Sequence, residues 1–173
     1  MIATAPSIED LTLNLTLETH VQASLDATFA ALLEQLGPGN ETPEGKSLQL
    51  KIEPWPGGRW YRDLGDANGH LWGHVQAIKR PTLLEFSGPL FMSWPVVSNV
   101  QYRLSEVAEG TLITFRHTAF GLIPPDVKEG MTKGWAYILA GVGKRAEASR
   151  LRRKSGADQR PPDHPPESKE TGS

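Results

Sequence analysis

The class of fold can be inferred from residues 124–150, PPDVKEGMTKGWAYILAGVGKRAEASR. Pro124 and Pro125 followed by Asp126 are typical of the start of a helix, which we expect to run to about Arg150. At 3.6 residues per turn, the apolar side chains fall within about a third of the circumference of this helix. These side chains are Val127, Met131, Trp135, Ile138, Leu139, Val142 and Ala146. The pattern predicts one long C-terminal helix with a single buried face.

Short segments of alternating apolar and polar residues precede this helix. In residues 11–21, leucine, threonine or valine alternates with polar residues, which predicts a half-buried strand. Ser24 as an N-cap and Gly37 as a left-handed C-cap delimit a predicted helix over residues 25–36. Six further strands are predicted over residues 47–53, 59–64, 70–79, 82–87, 96–105 and 110–118. The spacers between them are too short for crossover helices, so the sheet should be antiparallel.

The order strand, helix, six strands and long helix indicates an α+β protein. We expect a curved antiparallel sheet of about six to seven strands that wraps around the C-terminal helix. The predicted organisation is a flexible N-terminus (1–10), one domain (11–153) and a disordered polar tail (154–173). The tail is rich in proline and charge and has almost no apolar residue, so it cannot offset the entropy of ordering.

Composition excludes several classes of function. With no cysteine, the chain has no disulfide, no thiolate nucleophile and no cysteine-bound metal. His70 and His74 are four apart on a predicted strand, which separates their backbones by about 13 Å, too far for one ion. We therefore predict no metal and no cofactor. A formal charge of −2 argues against a nucleic-acid partner. Residues 1–7 lack signal-peptide character and no segment could span a membrane, so we expect a cytoplasmic protein.

Five landmarks resemble a known pattern in their order along residues 11–150. The chain is similar to the helix-grip superfamily of START domains, polyketide cyclases and the birch-pollen allergen. Within it, the chain is most similar to the branch named for the activator of the heat shock protein 90 ATPase. The resemblance implies a helix-grip fold with a cavity, often lined by aromatic side chains, between the sheet and the last helix. The landmarks are Glu53–Trp60, Gly73–Val75, Pro81–Phe86, Gly110-Thr111 leading to His117, and Gly134-Trp135.

Large side chains expected to face that space are the candidate ligand contacts. The same residues would also serve as ordinary core. His117 is either a core histidine with one hydrogen bond or a ligand contact or acid/base with a pKa near 6.5. Trp72 alternates out of phase with Leu71 and Gly73, so its face is undecided. The candidates are Trp60, Phe86, Tyr102, Phe115, His117, Met131, Trp135 and Ile138, and no catalytic residue is assigned.

Glycines in the last helix and apolar residues in two loops leave alternatives open. Gly130, Gly134 and Gly141 lie near one shoulder of the apolar stripe, where they allow either close approach of the sheet or room for a ligand. The segments 88–95 and 119–123 are apolar, as at a pocket rim or a partner site, or as in loops that fold back on the sheet. The basic end of the last helix either complements the helix dipole or binds an acidic partner.

Three hypotheses of function follow. The first is non-catalytic binding of a small hydrophobic or amphipathic ligand between sheet and helix by a monomer or weak dimer. The second is a chaperone-associated or other protein-partner domain that binds through Leu90–Trp94 or the basic helix end. The third is a cyclase- or hydratase-like enzyme that uses His117 with Tyr102 or Arg59.

Overall fold

A computed structural model describes residues 7–90 and 95–156 of the chain, with side chains up to Arg152. The segment Phe91–Trp94 and the predicted tail beyond Gly156 lie outside these residues. Every predicted helix and strand is present. In chain order they are β1 (Thr12–Val21), α1 (Leu25–Leu36), β2 (Leu50–Ile52), β3 (Arg59–Gly65), β4 (Asn68–Lys79), β5 (Leu83–Gly88), β6 (Val96–Val107), β7 (Gly110–Gly121) and α2 (Pro125–Gly156).

The seven strands form one antiparallel sheet in the order β1-β7-β6-β5-β4-β3-β2. The predicted α+β arrangement, a curved antiparallel sheet against a long C-terminal helix, is confirmed. β2 is shorter than predicted, because Gln49 has a positive φ of 55° that ends the extended run on its N-terminal side. α2 continues past Arg150 to Gly156, since residues 151–155 include neither glycine nor proline.

One face of α2 supplies much of the core, as predicted. Val127 and Ile138 are partly buried at the edge of that face, next to the fully packed positions. The buried positions are Met131, Trp135, Leu139, Val142 and Ala146. On the opposite side of the core, inner residues of β3, β5, β6 and β7 meet this face, so helix and sheet form two layers with the core between them.

Strand β4 contains two β-bulges, and the first decides the face of Trp72. Trp60 pairs with Gly73 and Tyr61 with Leu71, so the register between β3 and β4 shifts by one residue at Trp72. An extra residue of this kind breaks the strict alternation of a strand. The ring of Trp72 therefore turns inward and lies 5.0 Å from that of Trp60, while Leu71 stays exposed.

Gly37 closes α1 in a different way from the one predicted. Its φ is −107°, so it is not a left-handed cap. A Cβ at this position would lie 3.1 Å from both Ile52 Cγ2 and the carbonyl oxygen of Leu33. The glycine is therefore suited to close packing at the end of the helix rather than to a positive φ.

Arg145 joins α2 to the end of α1. Its Nε donates to Oε1 of Gln35 at 2.8 Å, and its Nη2 donates to the carbonyl oxygen of Gly39. Gln35 is 3% exposed, so water cannot easily replace the guanidinium. This member of the basic stretch at the end of α2 thus has a structural role, as a cation close to the C-terminus of α1.

We expect Arg145→Met to lower the free energy of unfolding by about 1–3 kcal/mol, because it leaves the buried Gln35 amide oxygen without a donor. Lys144→Met, at the exposed neighbouring position, is the control and should change stability by less than about 0.5 kcal/mol. Urea unfolding at pH 7 measures both. Equal effects of the two substitutions would contradict this role for Arg145.

Candidate functional site

An aromatic cluster fills most of the space beneath α2. Trp135 lies at its centre, with its ring centroid 4.7 Å from that of Phe115 and 6.5 Å from those of Trp60 and Tyr102. Phe86 extends the cluster, 5.0 Å from Trp60. Apart from Trp135, which is 2% exposed, all of these rings are fully buried. The centre of the domain is therefore closely packed core rather than an open cavity.

His117 belongs to this cluster and holds Trp135 in place. The Nε1–H of Trp135 donates to Nδ1 of His117 at 3.1 Å. Burial lowers the pKa of His117 from 6.5 to about 4, because the charged imidazolium would lose its hydration. At neutral pH the ring is uncharged, with its proton on Nε2, and Nδ1 accepts the tryptophan N–H.

Tyr102 is the other polar member of the cluster. Its ring lies 5.0 Å from that of Phe115, and its hydroxyl has no hydrogen-bond partner among the described residues. Burial raises the pKa of this hydroxyl well above its ordinary value, so the side chain is neutral at physiological pH. It can act as a donor but not as a base.

A cleft remains between α2 and the bulged part of β4. It has a volume of about 280 Å³ and lies beside the aromatic cluster, with Trp135 as the shared wall. Trp72 forms the sheet side of the cleft, where its bulge directs the indole inward. The residues that line it are Trp72, Val127, Gly130, Met131, Gly134, Trp135 and Ile138. None of these side chains carries a charge.

The three α2 glycines that were predicted to lie at the shoulder of the apolar stripe, Gly130, Gly134 and Gly141, have two different roles. A Cβ added at Gly130 or Gly134 would have no atom within 4 Å, and both residues line the cleft. A Cβ at Gly141 would lie 2.5 Å from Oε1 of Gln35. Gly141 therefore permits close packing of α2 on α1, whereas Gly130 and Gly134 leave open space on the cleft side of the same helix.

The predicted ligand contacts divide into two groups. Met131, Trp135 and Ile138 line the cleft. The other five, Trp60, Phe86, Tyr102, Phe115 and His117, are fully buried in the cluster and are not part of the cleft lining. Trp72, Val127, Gly130 and Gly134 were not among the predicted contacts, although room for a ligand was one of the two interpretations of the helix glycines drawn from the sequence.

Arg59 does not meet His117, contrary to the enzyme hypothesis. Trp60 points into the core, so the alternation of β3 places Arg59 on the opposite face. There its guanidinium bonds to the carboxylate of Glu53 and lies 4.6 Å from the ring centre of Tyr61. Arg59 is therefore part of an exposed ion pair, which lowers the pKa of Glu53 to about 2.

The two apolar loop segments behave differently from each other. Leu90 is fully buried and its N–H donates to the carbonyl of Trp72 at 2.8 Å, so this end of segment 88–95 does fold back on the sheet. In segment 119–123, Ala119 and Ile123 are buried while Phe120 and Leu122 are more than half exposed. The second segment therefore places apolar side chains on both faces of the sheet.

Two further findings concern the described residues. No helix among them is both long and apolar enough to cross a membrane. In the same ranges, no three His, Cys, Asp or Glu side chains are grouped as a metal ion would require.

The architecture and the cleft beneath the last helix define a helix-grip protein. The family model described as "Activator of Hsp90 ATPase homolog 1-like protein" matches residues 27–146. The chain belongs to this family. A search of curated protein sequences finds no significant match.

Solved structures share the fold at low sequence identity. An uncharacterized protein from Rhizobium leguminosarum is 17% identical, with a TM-score of 0.63 over 79% of this chain and 95% of its own. The protein Ara h 8.0201 is 15% identical, with a TM-score of 0.57 over 79% of this chain and 99% of its own. The di-domain ARO/CYC protein StfQ of the steffimycin biosynthetic pathway is 14% identical, with a TM-score of 0.58 over 86% of this chain and 53% of its own.

The glycine environments predict stability changes of opposite sign. Gly130→Ala and Gly134→Ala should each raise the free energy of unfolding by roughly 0.5–1 kcal/mol, since alanine favours the helix and meets open space. Gly141→Ala should lower it, because the Gln35 amide is buried, held by Arg145 and unable to move away. Chemical denaturation of the three variants measures these changes in the free energy of unfolding. A change of the same sign at all three positions would refute the two separate roles of the glycines.

The buried His117 predicts a pH dependence of stability. Its pKa is lower in the folded chain than the ordinary 6.5. The contribution of His117 to the free energy of unfolding is therefore complete above pH 6.5 and is lost as the pH falls towards 4. Between pH 7.5 and pH 5 this loss is about 2 kcal/mol. His117→Asn keeps an acceptor for Trp135 without the titration, so its stability should fall by about 2 kcal/mol less over this range.

The control for this measurement is His20→Asn, at an exposed position on β1. Because this variant removes a histidine but leaves the contact between Trp135 and His117 in place, its pH profile of unfolding should match that of the original chain. Parallel profiles for His117→Asn and the original chain would show that His117 is not a neutral buried base.

Proposed function

We propose that this chain binds a small uncharged apolar molecule in the cleft between α2 and Trp72. The observation that carries the proposal is the pair Gly130 and Gly134, which leave the helix surface open where every neighbouring position of the apolar stripe is filled. Interior glycine costs a helix about 1 kcal/mol relative to alanine. Ligand binding would explain why two glycines that lower the stability of the helix face the same cleft.

The chemistry of the lining supports an apolar ligand. Two indoles and the thioether of Met131 face the space, together with branched aliphatic side chains. Among the described residues of the lining, no carboxylate, ammonium or guanidinium could compensate a ligand charge, and burying an uncompensated charge is strongly unfavourable. The indole faces favour planar groups, which gain most from stacking.

The size of the cleft supports a small ligand. Its volume of about 280 Å³ is slightly below the range of roughly 300–1,000 Å³ that is usual for small-molecule sites. The packed core behind Trp135 gives no room for a longer molecule to extend inward. The ligand would therefore lie along the glycine side of α2, partly open to solvent.

Binding without catalysis fits the position of the polar residues. His117 and Tyr102 lie behind Trp135, outside the cleft lining, and His117 is occupied as the acceptor of the Trp135 N–H. The biosynthetic ARO/CYC protein StfQ shares the fold, but likeness at 14% identity carries no activity over to this chain.

A neutral fluorophore, N-phenyl-1-naphthylamine, tests the proposal. We expect saturable fluorescence enhancement with the original chain. Gly134→Leu should weaken binding at least tenfold, because its side chain would fill the cleft. The matched control is Ala140→Leu, an exposed position of α2 outside the cleft lining, which should leave binding unchanged. Equal affinity in the two variants, or no binding by the original chain, would refute the proposal.

A further inference from the structure

Among the described strands, β1 forms one edge of the sheet and pairs with β7 alone. The carbonyl of Leu11 accepts from the N–H of Gly121, so the backbone groups of odd-numbered residues point to β7. Those of the even-numbered residues then point away from the sheet. Within the described residues, no hydrogen bond is made by the backbone of Asn14, Thr16, Glu18 or His20.

Two side chains of α2 close the ends of this unpaired edge. At one end, Lys128 donates to the carbonyl oxygens of Asp10, at 2.7 Å, and Thr12, at 3.2 Å. At the other end, the carboxylate of Glu147 accepts from the N–H of Gln22 at 3.1 Å. The open edge therefore runs from residue 14 to residue 20, with a cation at its beginning and an anion at its end.

We propose that β1 is a dimerisation edge, which pairs with β1 of a second copy of this chain. An antiparallel pair centred on Leu17 satisfies all four open positions. Asn14 then faces His20 of the second copy and Thr16 faces Glu18 of the second copy. In each such pair the two residues exchange two backbone hydrogen bonds.

The charges at the ends of the edge favour pairing with β1 of a second copy over pairing with an unrelated peptide. Residue 12 of one copy lies opposite residue 22 of the other in the same register. Lys128 of one copy is thereby brought next to Glu147 of the other, and the two-fold symmetry repeats the contact at the far end. Along residues 14–20 no two like charges face each other.

The side chains also fit an edge pairing. Asn14, Thr16, Glu18 and His20 are exposed, and the segment contains neither proline nor lysine, the residues that commonly protect an edge. On the inner side, Leu17 would contact Leu17 of the second copy. This side chain is only partly buried in a single chain. A single strand pair buries less than about 1,200 Å², so we expect a dissociation constant between about 10 µM and 1 mM.

Sedimentation equilibrium of the full chain up to about 1 mM, at low salt, tests the proposal. Thr16→Glu places a carboxylate opposite Glu18 of the second copy at both symmetric positions, so the dissociation constant should rise at least tenfold. Adding Glu18→Lys to this variant turns both repulsions into ion pairs and should restore the dimer. All these positions are exposed, so folding should be retained.

Thr118→Glu is the matched control, since Thr118 lies on the same face of the sheet but on β7, one strand in from the edge. It should dimerise like the original chain. A chain that stays monomeric at about 1 mM would overturn the proposal. So would a dimer unaffected by Thr16→Glu, or one that the added Glu18→Lys does not restore.

Discussion

The contact between the Trp135 indole and His117 is the constraint on which the interior depends. The indole is the largest side chain of α2 and lies against Phe115 and near Trp60 and Tyr102, so it sets how far the helix stands from the sheet. Its N–H would be costly to bury without an acceptor, and the neutral imidazole supplies one. A single hydrogen bond thus allows a polar aromatic ring to occupy the centre of an otherwise apolar core.

The cleft is a consequence of that spacing. Trp135 keeps α2 away from the sheet. Side chains of the neighbouring turns fill the gap, except at Gly130 and Gly134, which have no side chain. On the sheet side, the bulge at Trp72 brings an additional ring to the same place. Trp135 consequently separates the buried polar residues His117 and Tyr102 from the cleft, and its ring contacts both.

Most of the architecture could be predicted from the sequence because it depends on local patterns. The stripe from Val127 to Ala146 and the alternation in residues 11–21 are properties of short segments, and both survive in the structure. The face of Trp72 could not be predicted, since a bulge depends on how the neighbouring strand is paired. The roles of Gly37, Gly134 and Gly141 also depend on which atoms lie nearby in the folded chain, and these come from distant segments.

The position of β1 has a consequence for the order of folding. β1 precedes the other described strands, but its partner β7 begins only at Gly110, so β2 to β6 are all synthesised before the two can pair. Contacts between such distant segments carry a large entropy of loop closure and slow the search for the native state. A nascent chain therefore exposes both edges of β1 to other chains until β7 has been synthesised.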